Sequence, residues 1–163
     1  AETISYIYKN KHDLNIKVGR IFNTYGPYMD VNDGRVISNF ITQALKGKDI
    51  TVYGDGSQTR SLCFVDDLVN LLIMLFEKDI KTDNPFNMGN PYEISVMEIA
   101  ETIKKMTNSD SKIIYKDLPQ DDPKVRQPDI TLINKISGWK PMVSLESGLK
   151  DTITYFDKVL KNK

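Results

Sequence analysis

The chain has 163 residues, of which 40% are hydrophobic and 27% are charged. That length and composition are ordinary for one globular domain with its own core. The 22 basic and 22 acidic residues cancel, so the overall charge excludes bulk attraction to nucleic acid or to an anionic membrane surface. Any anion-binding site must therefore be local. The single cysteine, Cys63, excludes an internal disulfide and a cysteine metal cluster, which suits a reducing compartment.

The histidine content and the apolar runs give no sign of a metal site or of a membrane-spanning segment. The only histidine, His12, lies among charged and polar neighbours, which is typical of a solvated loop. The most apolar run, residues 68–76, is interrupted by Asn70 and is far shorter than the ~20 residues that cross a bilayer. We therefore predict no metal, no membrane contact from this segment and a cytoplasmic location. A Golgi-lumenal location stays open if an upstream segment carries an anchor.

The first predicted helix has no visible beginning. The chain does not start with methionine, and Ile4, Ile7 and Tyr8 have helical spacing with no capping residue ahead of them. We expect the chain to begin inside a helix and to be the carboxyl-terminal fragment of a longer protein.

A short buried strand is predicted for residues 16–22, followed by a polar turn over residues 23–27. In open α/β sheets, ligands bind at the carboxyl ends of the strands, where Asn23 and Thr24 would offer donors and acceptors. Taken alone, this segment is better explained as a strand that ends in an ordinary Asx turn.

Helices and strands alternate along the rest of the chain. An Asn32-Asp33-Gly34 turn leads into an amphipathic helix over residues 35–45, and two strands (50–53 and 60–65) are predicted to form a small hairpin-like unit. Asp66 or Asp67 is expected to cap a helix that is buried all round. The remaining predictions are strands at 85–89 and 112–115, a Ser95–Glu98 capping box on a helix reaching about Thr107, an acidic loop at 119–123, and helices at 130–137 and 145–160. This order predicts an α/β fold with a partial parallel sheet.

Three arginines lie next to turns: Arg35, Arg60 and Arg126. A guanidinium group binds phosphate or carboxylate oxygens through two parallel hydrogen bonds, so these positions are candidate anion contacts. The alternative is that each forms a surface ion pair with a nearby carboxylate, for which Asp33, Asp55, Asp121 and Asp122 are available. The chain contains no Gly-x-Gly-x-x-Gly and no Walker-type loop, and so no complete phosphate cradle for a dinucleotide.

Taken together, the motifs resemble a known family. They are RIFNTYGP (20–27), NDGRVISNF (32–40), TVYGDGSQTR (51–60), FVDDL (64–68), NMGNP (87–91), PQDDP (119–123) and RQPDI (126–130). In this order they are similar to the extended short-chain dehydrogenase/reductase family, which contains NAD-dependent sugar-nucleotide epimerases and dehydratases, and within it to the UDP-glucuronate decarboxylase branch. The resemblance covers essentially all 163 residues.

The resemblance implies the carboxyl-terminal part of a Rossmann-type fold with a small sugar-nucleotide-binding α/β lobe. Residues 1–163 would form one portion, comprising the tail of the family's Tyr-x-x-x-Lys helix and the last Rossmann strands. Family members oxidise carbon 4 of UDP-glucuronate with NAD, lose carbon dioxide, return the hydride to give UDP-xylose, and pair as homodimers. The alternatives are a sibling dehydratase or epimerase, a UDP-sugar-binding fragment without catalysis, and a structural fragment without function.

The resemblance also assigns roles to individual residues. It implies that Asn23, Arg35 and Arg60 contact the substrate diphosphate, and that Thr51, Val52 and Tyr53 hold the uridine. Tyr8, Ser38 and Gln58 complete the predicted substrate set, and Thr24 and Tyr25 would lie at the nicotinamide end of NAD. Arg126 matches an arginine near the sugar carboxylate, where it would act as an electrostatic clamp or as a proton donor. Because arginine has a pKa above ~12, it is a poor acid and a good clamp.

The family's catalytic groups are not among these residues. Its Tyr-x-x-x-Lys pair, its glycine-rich turn and its Thr/Ser-Glu acid–base residues match no position of this chain. Hydride transfer needs the tyrosine as general base and the lysine to hold the cofactor ribose. We therefore expect this polypeptide alone to be inactive.

Overall fold

A computed structural model describes residues 1–78, 80–118 and 125–162. Helices and strands alternate through these residues, as predicted. The helices are α1 (Glu2–His12), α2 (Val36–Leu45), α3 (Val65–Glu77), α4 (Val96–Met106), α5 (Thr131–Ser137) and α6 (Leu145–Lys161). The strands are β1 (Gly19–Ile21), β2 (Thr24–Tyr25), β3 (Ile50–Tyr53), β4 (Thr59–Ser61), β5 (Cys63–Phe64), β6 (Phe86–Met88), β7 (Glu93–Ser95) and β8 (Ile113–Lys116). The predicted acidic loop at 119–123 lies outside the described residues.

The strands form pairs between segments that are distant in sequence. Three pairs are parallel, β1 with β6, β2 with β5 and β3 with β8, and one is antiparallel, β4 with β7. The partial parallel sheet is therefore confirmed. The hairpin-like unit is wrong, because β3 and β4 pair with different partners. Gly54 and Gly56, with φ values of 66° and 78°, lie in the turn that directs the chain from one pair to the other.

The first strand is shorter and more exposed than predicted. β1 has three residues, all exposed, so the prediction of a buried strand is wrong. It pairs with β6 along one edge, where a Cβ atom at Gly19 would lie 2.8 Å from the Met88 Cε atom. The polar turn is also partly wrong, because Thr24 and Tyr25 form β2 and the change of direction comes at Gly26, with φ 155°.

Two apolar clusters form the core. The larger one surrounds β3 with α2, α4 and α6, and the other joins α3, α5 and β6. The predicted apolar face of α2 is confirmed, since Ile37, Phe40 and Ile41 are buried. The prediction that the third helix is buried all round is wrong, because Phe76 is 90% exposed and the Val69 and Ile73 side chains also face outward.

The opening helix is present as predicted, and its apolar residues are exposed. Ile4, Ile7 and Tyr8 are each more than half exposed on α1. The homodimer that the family resemblance implies stays a prediction. No helix in the described part of the chain is long and apolar enough to cross a membrane.

The helix caps show where local sequence signals succeed and fail. The capping box of α4 is confirmed, because the Ser95 hydroxyl accepts from the Glu98 N–H group and the Glu98 carboxylate accepts from the Ser95 N–H group. The predicted aspartate cap of α3 is wrong: Phe64 occupies the N-cap position. The buried carboxylate of Asp67 instead accepts from the backbone N–H groups of Met142 and Val143, at 3.1 and 3.0 Å.

Another hydrogen bond links Asp67 to the segment before α6. The Trp139 Nε1 atom donates to the Asp67 carbonyl oxygen at 3.0 Å. Asp67 therefore joins the beginning of α3 to the segment that leads into α6.

We predict that Asp67→Ala lowers the free energy of unfolding by about 2–3 kcal/mol, because it leaves two backbone donors without their acceptor. Asp66→Ala is the matched control, since Asp66 lies in the same first turn of α3 but is exposed. The control loses only its interaction with the helix dipole, about 0.3–1 kcal/mol. Urea denaturation measures both variants. Equal losses of unfolding free energy would show that the hydrogen bonds of Asp67 do not stabilise the fold.

Candidate functional site

A cavity of about 340 Å³ opens between β2, the amino-terminal end of α2, and β3 and β4. Residues from five separate segments of the chain line it. Nine of the predicted site residues are among them: Asn23, Thr24, Tyr25, Arg35, Thr51, Tyr53, Gln58, Arg60 and Arg126. The structure therefore brings most of the predicted site together.

The floor of the cavity comes from β2 and the residue before it. The Asn23 carbonyl oxygen accepts from the Cys63 N–H group at 2.9 Å, and the Thr24 hydroxyl donates to the Phe22 carbonyl oxygen at 3.0 Å. Tyr25 is 3% exposed and packs edge-on against Phe64, with 5.6 Å between the ring centroids. Burial raises the pKa of Tyr25, so its phenol stays protonated within the core.

Arg35 stands at the beginning of α2, where the helix macrodipole favours anions. Its Nε atom donates to the Asp33 carboxylate, and its Nη1 atom lies 3.4 Å from the Thr24 carbonyl oxygen. The Asp33 partner that the sequence offered as an alternative is thus present. The Arg35 side chain in this pair is more than half exposed. Because Asp33 is bound through the Nε atom, the Nη2 atom of the guanidinium can donate to another acceptor.

Arg60 and Arg126 line the same cavity from other segments of the chain. The Arg60 Nη1 atom donates to the Thr59 carbonyl oxygen at 2.7 Å, and Arg60 is half-buried. Arg126 is exposed and comes from the segment that precedes α5. Its alternative partners, Asp121 and Asp122, lie outside the described residues.

β3 also contributes to the lining of the cavity. The N–H groups of Ile50 and Gly54 donate to β8, so the alternation of a parallel strand turns the backbone groups of Thr51 and Tyr53 toward the other edge. The Gln58 Nε2 atom donates to the Tyr53 carbonyl oxygen at 2.7 Å. The side chains of Thr51 and Tyr53 line the cavity beside this edge.

Three predicted substrate residues lie elsewhere. Val52 is fully buried in the core cluster, and Ser38 is fully buried with its hydroxyl donating to the Arg35 carbonyl oxygen at 2.9 Å. Tyr8 is exposed on α1, with its ring 5.3 Å from that of His12. None of the three side chains lines the cavity. Their substrate-binding roles stay predictions.

The sequence analysis missed the apolar part of the cavity. Val36, Phe40, Leu62 and Val96 line it together with the polar residues. Val36 and Phe40 are four residues apart on α2, so the helical period could have placed them on one face beside Arg35. Asn39 was also missed as a lining residue, and its Nδ2 atom donates to the Gly34 carbonyl oxygen at 2.7 Å.

The cysteine takes no part in this chemistry. Cys63 is fully buried, and burial, with a smaller contribution from Asp67, raises the pKa of its thiol to about 12. The thiolate, which is the reactive form, is therefore negligible at neutral pH. Within the residues that the structure describes, no group of His, Cys, Asp and Glu side chains could hold a metal ion.

Comparison with known proteins identifies the class. Residues 1–89 match the model of the NAD dependent epimerase/dehydratase family, and the chain belongs to this family. It is 47% identical over 163 residues to UDP-glucuronic acid decarboxylase 1 of Xenopus tropicalis, covering 100% of this chain and 38% of the relative. It is 47% identical over 149 residues to UDP-glucuronic acid decarboxylase 5 of Arabidopsis thaliana, covering 91% of this chain and 43% of the relative.

A solved structure gives the same fold. UDP-glucose 4-epimerase from Thermotoga maritima, crystallised with UDP-glucose, matches with a TM-score of 0.91 and 30% identity, covering 98% of this chain and 51% of the epimerase. The predicted family resemblance and Rossmann-type fold class are therefore confirmed. The chain spans about two fifths of the length of the curated relatives that it matches.

Proposed function

We propose that this chain is the sugar-nucleotide-binding part of an NAD-dependent UDP-glucuronate decarboxylase that makes UDP-xylose. The observation that carries the proposal is the convergence of Arg35, Arg60 and Arg126 on one cavity beside an open strand edge. A UDP-sugar acid carries a base, a diphosphate and a carboxylate, and the cavity offers a contact of suitable chemistry for each. The 47% identity to UDP-glucuronic acid decarboxylases supports this substrate over those of sibling enzymes.

The residues present fit the cofactor only in part. Thr24 lies at the cavity floor, where the resemblance expects the nicotinamide end of NAD, whereas the phenol of Tyr25 is occupied in the core. The chain contains no glycine-rich turn for the pyrophosphate. NAD supplies hydride chemistry in this family.

The diphosphate contact follows from charge and position. Arg35 lies at a helix amino terminus and Arg60 on β4, so two cations from separate elements border one cavity. Charge-assisted hydrogen bonds from guanidinium groups are about twice as strong as neutral ones. In this proposal both arginines bind the diphosphate, and Asp33 orients Arg35 through its Nε atom.

Arg126 acts on the carboxylate. Once carbon 4 is a ketone, the sugar is a β-keto acid: the bond between carbon 5 and the carboxyl carbon breaks, its electrons form an enolate, and carbon dioxide leaves. A guanidinium binds and orients the departing carboxylate without giving up its own proton. We therefore assign Arg126 an electrostatic role in binding and orientation.

We predict that Arg35→Ala and Arg60→Ala each weaken UDP binding by about 1.5–3 kcal/mol, because each removes a charge-assisted contact. Arg20→Ala is the control: Arg20 forms a two-point ion pair with Glu2 and does not line the cavity. Isothermal titration calorimetry with UDP measures all three variants. If Arg35→Ala and Arg60→Ala bind UDP as the control does, the diphosphate assignment is wrong.

For Arg126→Ala we predict unchanged UDP affinity and reduced turnover of UDP-glucuronate, since UDP lacks the carboxylate. Arg126→Lys should recover little activity, because an ammonium group cannot reproduce the bidentate geometry. Turnover is measured as carbon dioxide release in the complete enzyme, in which an NAD-binding part is joined to this chain. Normal turnover in Arg126→Ala would remove the catalytic role, and lost UDP affinity would move this arginine to the diphosphate.

The 163-residue chain on its own is predicted neither to bind NAD tightly nor to release carbon dioxide from UDP-glucuronate. The reason is that neither a pyrophosphate cradle nor the family's tyrosine base is among its residues. Equilibrium binding of NAD and a carbon dioxide assay on the purified chain test this. Release of carbon dioxide by the chain alone would contradict the proposal that this chain binds the sugar nucleotide but lacks the catalytic groups.

A further inference from the structure

Arg126 reaches the cavity from a segment without regular structure. Residues 125–130, all of which the structure describes, form no helix or strand, and the Arg126 side chain is exposed. A long side chain on such a segment has many conformations, and binding a ligand through it costs the free energy of ordering it. The position of the Arg126 guanidinium at the cavity therefore depends on the contacts that hold its neighbours in the chain.

Gln127, the next residue, makes one of these contacts. Its Nε2 atom donates to the Pro91 carbonyl oxygen at 2.8 Å. The residue before Pro91 is itself joined to the cavity. The Asn90 Nδ2 atom donates to the carbonyl oxygen of Leu62 at 3.1 Å, and Leu62 is one of the lining residues. Two side-chain hydrogen bonds thus connect the residue after Arg126 to the lining of the cavity.

The rest of the segment is held against β6 and the residues that follow it. The Asn87 Nδ2 atom donates to the Asp129 carbonyl oxygen at 2.9 Å. Pro128 is buried, and a Cβ atom at Gly89 would lie only 3.0 Å from its Cγ atom, so a residue without a side chain permits this close approach. These contacts do not involve Gln127. Loss of the Gln127 hydrogen bond would therefore loosen the arginine without detaching the segment.

We propose that Gln127 is a positioning residue that holds Arg126 at the cavity. By doing so, it makes the site prefer a sugar nucleotide with a carboxylate at carbon 6 to one with a hydroxymethyl group there. The inference rests on the proposed function, in which Arg126 binds the sugar carboxylate.

The preference follows from the cost of ordering the arginine. A guanidinium that is already in place binds a carboxylate without first losing its conformational freedom, and so binds it more tightly. An uncharged hydroxymethyl group gains little from the same placement. Gln127 is not among the residues that line the cavity, and its amide donates to a backbone carbonyl. It therefore acts through Arg126 and not on the ligand.

The experiment measures the affinity of the 163-residue chain for UDP-glucuronate and for UDP-glucose, which differ only at carbon 6, by isothermal titration calorimetry. Gln127→Met keeps the length of the side chain but has no donor for the Pro91 carbonyl oxygen. We expect it to weaken UDP-glucuronate by about three- to tenfold, the size of one neutral hydrogen bond, and to leave UDP-glucose unchanged. The preference for UDP-glucuronate should therefore fall by the same factor.

A double variant shows whether Gln127 acts through the arginine. Arg126→Ala removes the group that Gln127 positions, and we expect it to abolish the preference. In this background Gln127→Met should change neither affinity, because no guanidinium remains to be held. A glutamine that touched the ligand directly would weaken binding by the same factor with or without the arginine. A purely structural role would weaken both ligands equally.

Ser109→Ala is the matched control. It removes another hydrogen bond between a side chain and a distant backbone group, from the Ser109 hydroxyl to the Ala44 carbonyl oxygen at 2.9 Å. Neither Ser109 nor Ala44 lines the cavity. We expect this variant to bind UDP-glucuronate and UDP-glucose as the unmodified chain does.

The possible results separate this inference from the proposed function. If Arg126→Ala loses the preference and Gln127→Met keeps it, the role of Gln127 is wrong and the proposed function stands. Equal weakening of the two ligands in Gln127→Met, or an undiminished effect beside Arg126→Ala, also overturns that role. If the unmodified chain shows no preference, or Arg126→Ala retains it, the carboxylate assignment of Arg126 fails and the role of Gln127 fails with it. Should the unmodified chain bind neither ligand, both proposals fail.

Discussion

The site depends on the parallel pairing of β2 with β5. In this pair Thr24 lies opposite Cys63 and Tyr25 opposite Phe64. Alternate residues of β5 face different cores, because Cys63 packs into the smaller cluster and Phe64 into the larger one. A two-residue ladder is therefore held by apolar packing on both faces. It brings Asn23, at the end of one segment, to the segment that carries Arg60.

The sequence predicted what local signals determine. The amphipathic period located α2, and the Ser95–Glu98 capping box located the beginning of α4, because both depend on residues within one or two turns of each other. Strand pairing was missed because it depends on residues far apart in the sequence. β3 pairs with β8, which lies about sixty residues later. Asp67 was misassigned for the same reason, since a carboxylate at the beginning of a helix resembles a cap until its distant backbone donors are known.

The site was predictable to the extent that residue type alone reveals function. Arginines beside turns and a polar strand end are visible in the sequence, and the structure places them around one cavity. Part of the apolar lining could also have been predicted, because the helical period of α2 places Val36 and Phe40 on one face beside Arg35. Gln43 of α2 has no such pattern: its Oε1 atom accepts from the Thr51 N–H group at 3.0 Å only because α2 packs against β3.

The cavity is lined by charged and by neutral polar side chains. The arginines supply charge to a chain whose formal net charge is zero, and Asp33 already offsets part of the charge of Arg35. The attraction between such exposed charges and an anion weakens as salt screens it. The glutamines are neutral and act through the direction of hydrogen bonds, which salt affects little. Salt should therefore weaken the proposed diphosphate contacts of the arginines while leaving the neutral hydrogen bonds of the cavity largely unchanged.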